Sequence, residues 1–243
     1  MNNRRANPGI TILAGRFGSG KTETAINYAL ALAEGWKLGV GGWRREPPTS
    51  PAQTPILIDL DIVTPYFRTR EKAEAMRERG VEVVAPSIVG QHLDMPALTP
   101  QILGAIQQAG RPVVLDVGGD RQGARALGQY SAAIQQQGYT MHFVANPYRP
   151  FTATLAGLRQ SITEIEASSR LQVTSLVSNP NLIGETTWTQ IAEGHARIEA
   201  FARDLDLPLA FVCVERHWAE QFAGNHFAQP VLVLDRFFVQ SWE

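Results

Sequence analysis

The chain has almost no cysteine. Cys213 is the only one among 243 residues, which excludes a disulfide within the chain, a cysteine-rich zinc site and a cysteine-ligated iron–sulfur cluster. This cysteine belongs to the apolar run 207–214. We therefore expect it to be a core residue rather than a reactive one.

Net charge and long hydrophobic runs are lacking as well. Lysine and arginine number 22 against 23 acidic residues, so no overall field recruits nucleic acid or an anionic membrane. No run of about 18 apolar residues is present, and no signal-peptide segment follows the arginines near residue 1. We expect a cytoplasmic protein whose sequence carries no nucleic-acid or membrane signal.

Apolar, β-branched runs alternate with helix-like segments along the chain. Most runs are continuous, as in strands that are buried on both faces of a parallel sheet. The alternation predicts a single α/β domain over residues 1–243, with three layers and a mostly parallel central sheet of about seven or eight strands between helices on both faces. His142 lies in one run and is expected in the core. The predicted strands are 10–14, 56–60, 81–85, 113–115, 142–145, 173–177, 209–214 and 231–234, and the predicted helices are 22–34, 68–78, 100–108, 123–137, 152–168 and 185–205.

The segment 35–55 interrupts this rhythm with four glycines and four prolines. Such a composition predicts an insertion loop between the first helix and the following strand. The loop is either a mobile surface for a partner or substrate, or a tolerated insertion.

Residues 15–22, with the sequence GRFGSGKT, fit the pattern G-x-x-x-x-G-K-[ST] between a strand and a helix. In such a loop, glycines let backbone N–H groups surround phosphate oxygens, and the helix N-terminus adds partial positive charge. Lys21 then acts in catalysis at the β and γ phosphates, and the Thr22 hydroxyl binds Mg²⁺. The predicted nucleotide-binding residues of this segment are Gly15, Arg16, Phe17, Gly18, Ser19, Gly20, Lys21, Thr22 and Glu23.

Two further predicted strands end in carboxylates. Asp116 and Gly119 form a D-x-x-G turn after one strand, so we expect Asp116 to hold the metal ion through water and the N–H of Gly119 to sense the γ phosphate. Asp59 and Asp61 end another strand on the same side of the extended chain. Asp61 is the favoured catalytic residue and metal ligand because it lies farther out at the carboxyl end, and the alternative is that both residues cap the strand.

These motifs in this order resemble the SIMIBI-class P-loop ATPases MinD, ParA, the CobQ and CobB synthetases and the nitrogenase iron protein. The strings 59–68, 116–120, 146–149 and 179–181 resemble more narrowly a bacterial branch of CobQ/CobB/MinD/ParA-type nucleotide-binding proteins. The resemblance implies a three-layer P-loop NTPase fold, water activation by Asp61, and an Asn179 that reads the nucleotide base. No N-K-x-D motif is present, which favours adenine over guanine.

Two arginines, Arg16 and Arg149, each have two possible roles. Members that resemble MinD carry a signature lysine where this chain has Arg16, and that lysine reaches the partner's phosphates across a dimer. Arg16 keeps the charge, so it acts either as a catalytic arginine finger, within one chain or in an ATP-dependent homodimer, or points into solvent. Arg149 is either a contact to the base or substrate, or a solvated surface arginine.

The motifs together predict a Mg²⁺-dependent ATP-binding protein and ATP hydrolase of the MinD/ParA type. In this hypothesis ATP drives a change of conformation or the binding of an unidentified protein partner or activator. The alternatives are an ATP-dependent small-molecule kinase or synthetase similar to CobB and dethiobiotin synthetase, and a nucleotide-gated scaffold without hydrolysis of its own.

Overall fold

The computed structural model describes residues 9–39, 42–45, 54–60, 73–84, 100–108, 110–221 and 226–237. Within these ranges, eight strands form one sheet in the order β10-β9-β8-β7-β1-β6-β4-β5, and β2 and β3 form a separate pair. The strands are β1 Ile10–Ala14, β2 Trp36–Gly39, β3 Gly42–Arg45, β4 Ile56–Asp59, β5 Glu82–Val84, β6 Val113–Asp116, β7 Tyr139–Ala145, β8 Ser175–Ser178, β9 Leu209–Glu215 and β10 Val231–Leu234.

Neighbouring strands of the large sheet run parallel throughout. Each connection therefore returns over a face of the sheet, mostly through a helix. This arrangement confirms the predicted α/β fold with a mostly parallel central sheet. The helices are α1 Lys21–Ala33, α2 Ala73–Glu78, α3 Pro100–Gln107, α4 Arg121–Gly128, α5 Ser131–Gln137, α6 Leu155–Ser169, α7 Trp188–Asp204 and α8 Arg216–Gln221.

The core lies on both faces of the sheet, because successive side chains of a buried strand point to opposite sides. Ile12 of β1 packs in the cluster that includes α3 to α7, whereas Leu13 packs in the cluster that includes α1 and α2. Cys213 and His142 are buried, as predicted. No helix among the described residues is long and apolar enough to span a membrane.

One local prediction was wrong. The predicted helix 123–137 is interrupted at residues 129–130. There the Gln129 N–H donates to the Ala126 carbonyl and the Tyr130 N–H donates to the Leu127 carbonyl, three residues back instead of four. These tight turns place Tyr130 in the core between α4 and α5.

The predicted loop 35–55 contains regular structure, because β2 and β3 pair in antiparallel fashion from Trp36 opposite Arg45 to Gly39 opposite Gly42. Strand-favouring tryptophans on either side of a glycine-rich stretch of sequence are typical of such a hairpin. Residues 40–41 and 46–53 of that segment lie outside the described residues.

Candidate functional site

The glycine-rich loop joins β1 to α1 at the carboxyl edge of the sheet. Gly18 and Gly20 have left-handed φ angles of 75° and 81°, which residues with a Cβ atom rarely adopt. The Ser19 N–H donates to the Arg16 carbonyl at 3.0 Å and closes a tight turn. Lys21 and Thr22 follow as the first, buried residues of α1, where the partial positive charge of the helix is greatest.

Close backbone packing also requires glycine at two other positions. A Cβ atom on Gly119 would lie 2.5 Å from the Gly15 carbonyl oxygen and 2.8 Å from the Phe17 nitrogen. A Cβ atom on Gly15 would lie 2.7 Å from the Val144 carbonyl oxygen. The turn after β6 therefore lies directly against the glycine-rich loop, which brings Gly119 to the predicted site.

Two carboxylates end neighbouring strands at this edge. Asp59 of β4 is the register partner of Asp116 of β6, and Asp116 is in turn opposite Leu13 of β1, two residues before the loop. Partners in a parallel register direct their side chains to the same face, and both carboxylates are buried, with 2% and 1% exposure. Carboxylate and hydroxyl oxygens are the donors that Mg²⁺ prefers, together with phosphates. The oxygen chemistry of Asp59 and Asp116 suits Mg²⁺, and metal binding by Asp116 and Thr22 stays a prediction.

Asp61, the favoured catalytic residue, lies outside the described residues. Its role stays a prediction.

The structure directs Arg16 towards α6. Its Nε donates to Ser161 Oγ at 3.1 Å, one of its terminal nitrogens donates to Glu164 Oε2 at 2.5 Å, and its guanidinium lies 5.1 Å from the centre of the Phe151 ring. Hydrogen bonds from Gln160 and Arg16 lower the pKa of the Glu164 carboxyl. With the side chain 15% exposed, the alternative of a solvated Arg16 is wrong, whereas a role as an arginine finger stays a prediction.

Asn179, the residue that follows β8, contacts the loop. Its Nδ2 donates to the Ser19 carbonyl at 2.7 Å, and the side chain is buried. A Cβ atom on Gly20 would lie 2.2 Å from the same nitrogen, so glycine is required here for space as well as for backbone conformation. In the structure Asn179 is thus hydrogen-bonded to the loop. Recognition of the nucleotide base by Asn179 stays a prediction.

Arg149 also contacts the loop, through a hydrogen bond that is exposed to solvent, and a contact of this residue with a base or substrate stays a prediction. Its Nε donates to the Gly18 carbonyl at 3.1 Å. Sequence reasoning missed this partner because the two residues are 131 positions apart. The adjacency of β7 and β1 in the sheet is what brings them together.

Glu23 and Phe17 have different surroundings. The Glu23 carboxylate accepts hydrogen bonds from the backbone N–H of Phe237, at 3.0 and 3.2 Å, and so contacts the segment after β10. Phe17 is 68% exposed. Nucleotide contacts by these two residues stay predictions.

Comparison with known proteins supports the fold. No protein-family model and no curated protein matches the chain. The structure is similar to that of chloroplast FtsY from Physcomitrella patens, with 16% identity and a TM-score of 0.51 over 85% of this chain and 59% of that one. It is also similar to cell division protein FtsY from Thermotoga maritima, with 16% identity and a TM-score of 0.54 over 86% and 63%.

The chain thus spans about three fifths of the length of these two structures, and at this identity the likeness concerns the fold. The fold is that of an α/β P-loop NTPase, as expected. The narrower resemblance to MinD and ParA stays a prediction.

Proposed function

We propose that the chain binds Mg²⁺–ATP and hydrolyses it slowly, as a nucleotide-driven switch of the MinD/ParA type. The observation that carries the proposal is the loop between β1 and α1. Gly18 and Gly20 have left-handed conformations, and the buried residues Lys21 and Thr22 begin α1. A curled backbone followed by a helix N-terminus favours the binding of phosphate groups.

The chain's own residues would act mainly by position and charge. Lys21 places an ammonium group at the N-terminus of α1, where a phosphate would lie. The Thr22 hydroxyl and the Asp116 carboxylate would hold Mg²⁺, and Asp59 ends the strand beside Asp116. A bound Mg²⁺ ion would neutralise charge on the phosphate oxygens. Asp61 would orient the attacking water, so that positioning and electrostatic stabilisation account for the rate.

The switch part of the proposal is supported by the turn after β6. Gly119 packs closely against the loop backbone, since a Cβ atom added to it would lie 2.5 Å from the Gly15 oxygen. Asp120, the next residue, caps α4 by accepting from the Gly123 N–H at 2.8 Å. A γ phosphate that moves Gly119 would therefore also move α4 and the surface around it. That surface is where an unidentified partner, an activator or a second copy of the chain would respond to the nucleotide.

The proposal is tested by equilibrium binding of labelled ATP and by phosphate release, both in the presence of Mg²⁺. We expect Lys21→Ala to weaken ATP binding by at least about thirtyfold, because truncating one member of a buried charge pair costs several kcal/mol. Lys37→Ala, which removes an exposed lysine of β2, is the matched control. A wild-type chain that binds no ATP would overturn the proposal.

Three further measurements separate the parts of the proposal. Competition of unlabelled GTP, or of unlabelled ATP, against labelled ATP tests which base the site prefers. If GTP displaced labelled ATP more strongly than unlabelled ATP does, the prediction of adenine would be contradicted. Asp61→Asn compared with Asp59→Asn tests which carboxylate supports phosphate release. Light scattering with and without ATP tests the homodimer.

A further inference from the structure

We propose that Arg149 and Arg16 are positioning residues that hold the glycine-rich loop in its phosphate-ready shape before nucleotide arrives. The proposal rests on the proposed function, since it concerns how the same loop meets phosphate. Arg149 reaches the loop from the segment after β7. Arg16 reaches from the loop to α6.

Arg149 acts at one of the two left-handed glycines of the loop. Its Nε donates to the carbonyl of Gly18, whose φ is 75°. A Cβ atom on Gly18 would lie 3.2 Å from Arg149 Nε and 3.3 Å from its Cδ, so the side chain lies flat against this glycine. This hydrogen bond is exposed to solvent, which screens it, but its donor is charged, and such hydrogen bonds are stronger than those between neutral groups. The contact therefore restrains a backbone that glycine alone leaves free.

The backbone that carries Arg149 is itself held in place. The buried Asn146 accepts from the Tyr148 N–H at 3.0 Å through Oδ1, and donates through Nδ2 to the Asn181 carbonyl at 2.7 Å. The Arg149 N–H donates to the Asn146 carbonyl at 3.1 Å, and Thr152 Oγ1 donates to the same oxygen at 2.5 Å. Arg149 is therefore presented to Gly18 from a rigid turn.

Arg16 provides the second point of attachment. It is the second residue of the loop, and its guanidinium is bound by Ser161 and Glu164 of α6 while it lies over Phe151. These three partners and Arg149 all belong to the segment 146–164. The loop is therefore held at two positions by one continuous part of the chain.

The chemical consequence is preorganisation. A loop with two left-handed glycines loses much conformational freedom when it closes around phosphate, and that loss weakens binding. Contacts that order the loop in advance remove part of this cost. We therefore expect the two arginines to raise nucleotide affinity without touching the nucleotide.

The test is hydrogen–deuterium exchange of residues 14–22 in the full chain without nucleotide, together with the Kd for ATP. We expect Arg149→Ala and Glu164→Ala each to speed exchange of this segment by about tenfold and to raise the Kd by about tenfold, the typical effect of losing a hydrogen bond to a charged group. Arg149→Lys, which keeps a cationic donor, should restore part of both. Arg159→Ala, on the exposed side of α6, should change neither.

Two results would overturn the proposal. Unchanged exchange with a raised Kd would mean that Arg149 acts through its charge on the nucleotide itself, and faster exchange to the same degree in β1, β6 and β7 would mean general destabilisation. Because the exchange measurement contains no nucleotide, the proposal can be judged even if the wild-type chain fails to bind ATP. A failure of the proposed function is thereby distinguished from a failure of this one.

Discussion

At Gly119 the absence of a side chain decides whether the turn after β6 can touch the glycine-rich loop. A Cβ atom there would lie 2.5 Å from the Gly15 oxygen and 2.8 Å from the Phe17 nitrogen, and neither backbone atom can move cheaply. We expect Gly119→Ala to displace the loop and to weaken ATP binding by about tenfold or more, since rearranging a tightly packed backbone costs at least 1–3 kcal/mol. Calorimetric titration with Mg²⁺–ATP measures the change.

The matched control is a glycine with free space around it. A Cβ atom on Gly104, in the exposed part of α3, would meet nothing within 4 Å. Gly104→Ala should leave ATP binding unchanged and stabilise the fold by about 0.5–1 kcal/mol, because alanine loses less backbone entropy in a helix. Equal binding losses in the two variants would contradict the steric argument at Gly119.

At the scale of elements, the segment after β10 is hydrogen-bonded to α1. Asn27 of α1 donates to the Asp235 carbonyl at 2.9 Å and accepts from the Asp235 N–H at 2.9 Å, and Glu23 accepts from the Phe237 N–H. We expect Asn27→Ala to lower the free energy of unfolding by about 1–3 kcal/mol, because it leaves backbone groups of Asp235 without their partner. Urea denaturation measures the loss.

Gln136→Ala provides the comparison for this element. Gln136 is an exposed amide of α5, and surface substitutions of this kind change stability by less than about 0.5 kcal/mol. If Asn27→Ala lost no more stability than Gln136→Ala, the two Asp235 hydrogen bonds would contribute nothing to the attachment of this segment.

For the whole molecule, the buried His142 predicts a loss of stability in acid. The His142 ring packs against Phe211, with 5.5 Å between the ring centroids, and its Nδ1 lies 2.6 Å from Ser175 Oγ. Burial lowers the pKa of His142 to about 4. The unfolded chain takes up a proton below about pH 6.5 while the folded chain does not, so stability falls between pH 6.5 and 4. The contribution reaches about 3 kcal/mol at the lower end.

Urea denaturation at several pH values between 4 and 7 measures this dependence. His142→Asn, which does not titrate, should remove that part of the slope. His217→Asn, at an exposed histidine, is the control for the effect of a histidine substitution on stability as such. An unaltered slope in His142→Asn would show that other groups cause the acid sensitivity.

Much of the fold could be predicted because the relevant interactions are local. The runs 10–14 and 231–234 coincide with β1 and β10, and the predicted helix 22–34 differs from α1 by one residue at each end. Hydrophobic period, glycine and the G-x-x-x-x-G-K-[ST] spacing act within a few residues of one another. The break at Tyr130 escaped prediction because it depends on a core formed by distant strands and helices.

The sequence by itself therefore determined the alternation of strands and helices, the glycine-rich loop with Lys21 and Thr22, and the carboxylates at strand ends, because steric preference and periodicity are properties of neighbouring residues. Only the tertiary structure decided what the loop touches: Arg16 meets Glu164, Arg149 meets Gly18 and Asn179 meets Ser19, across 148, 131 and 160 positions. Such pairs form when the strand order of the sheet brings distant segments together, and no local rule encodes that order.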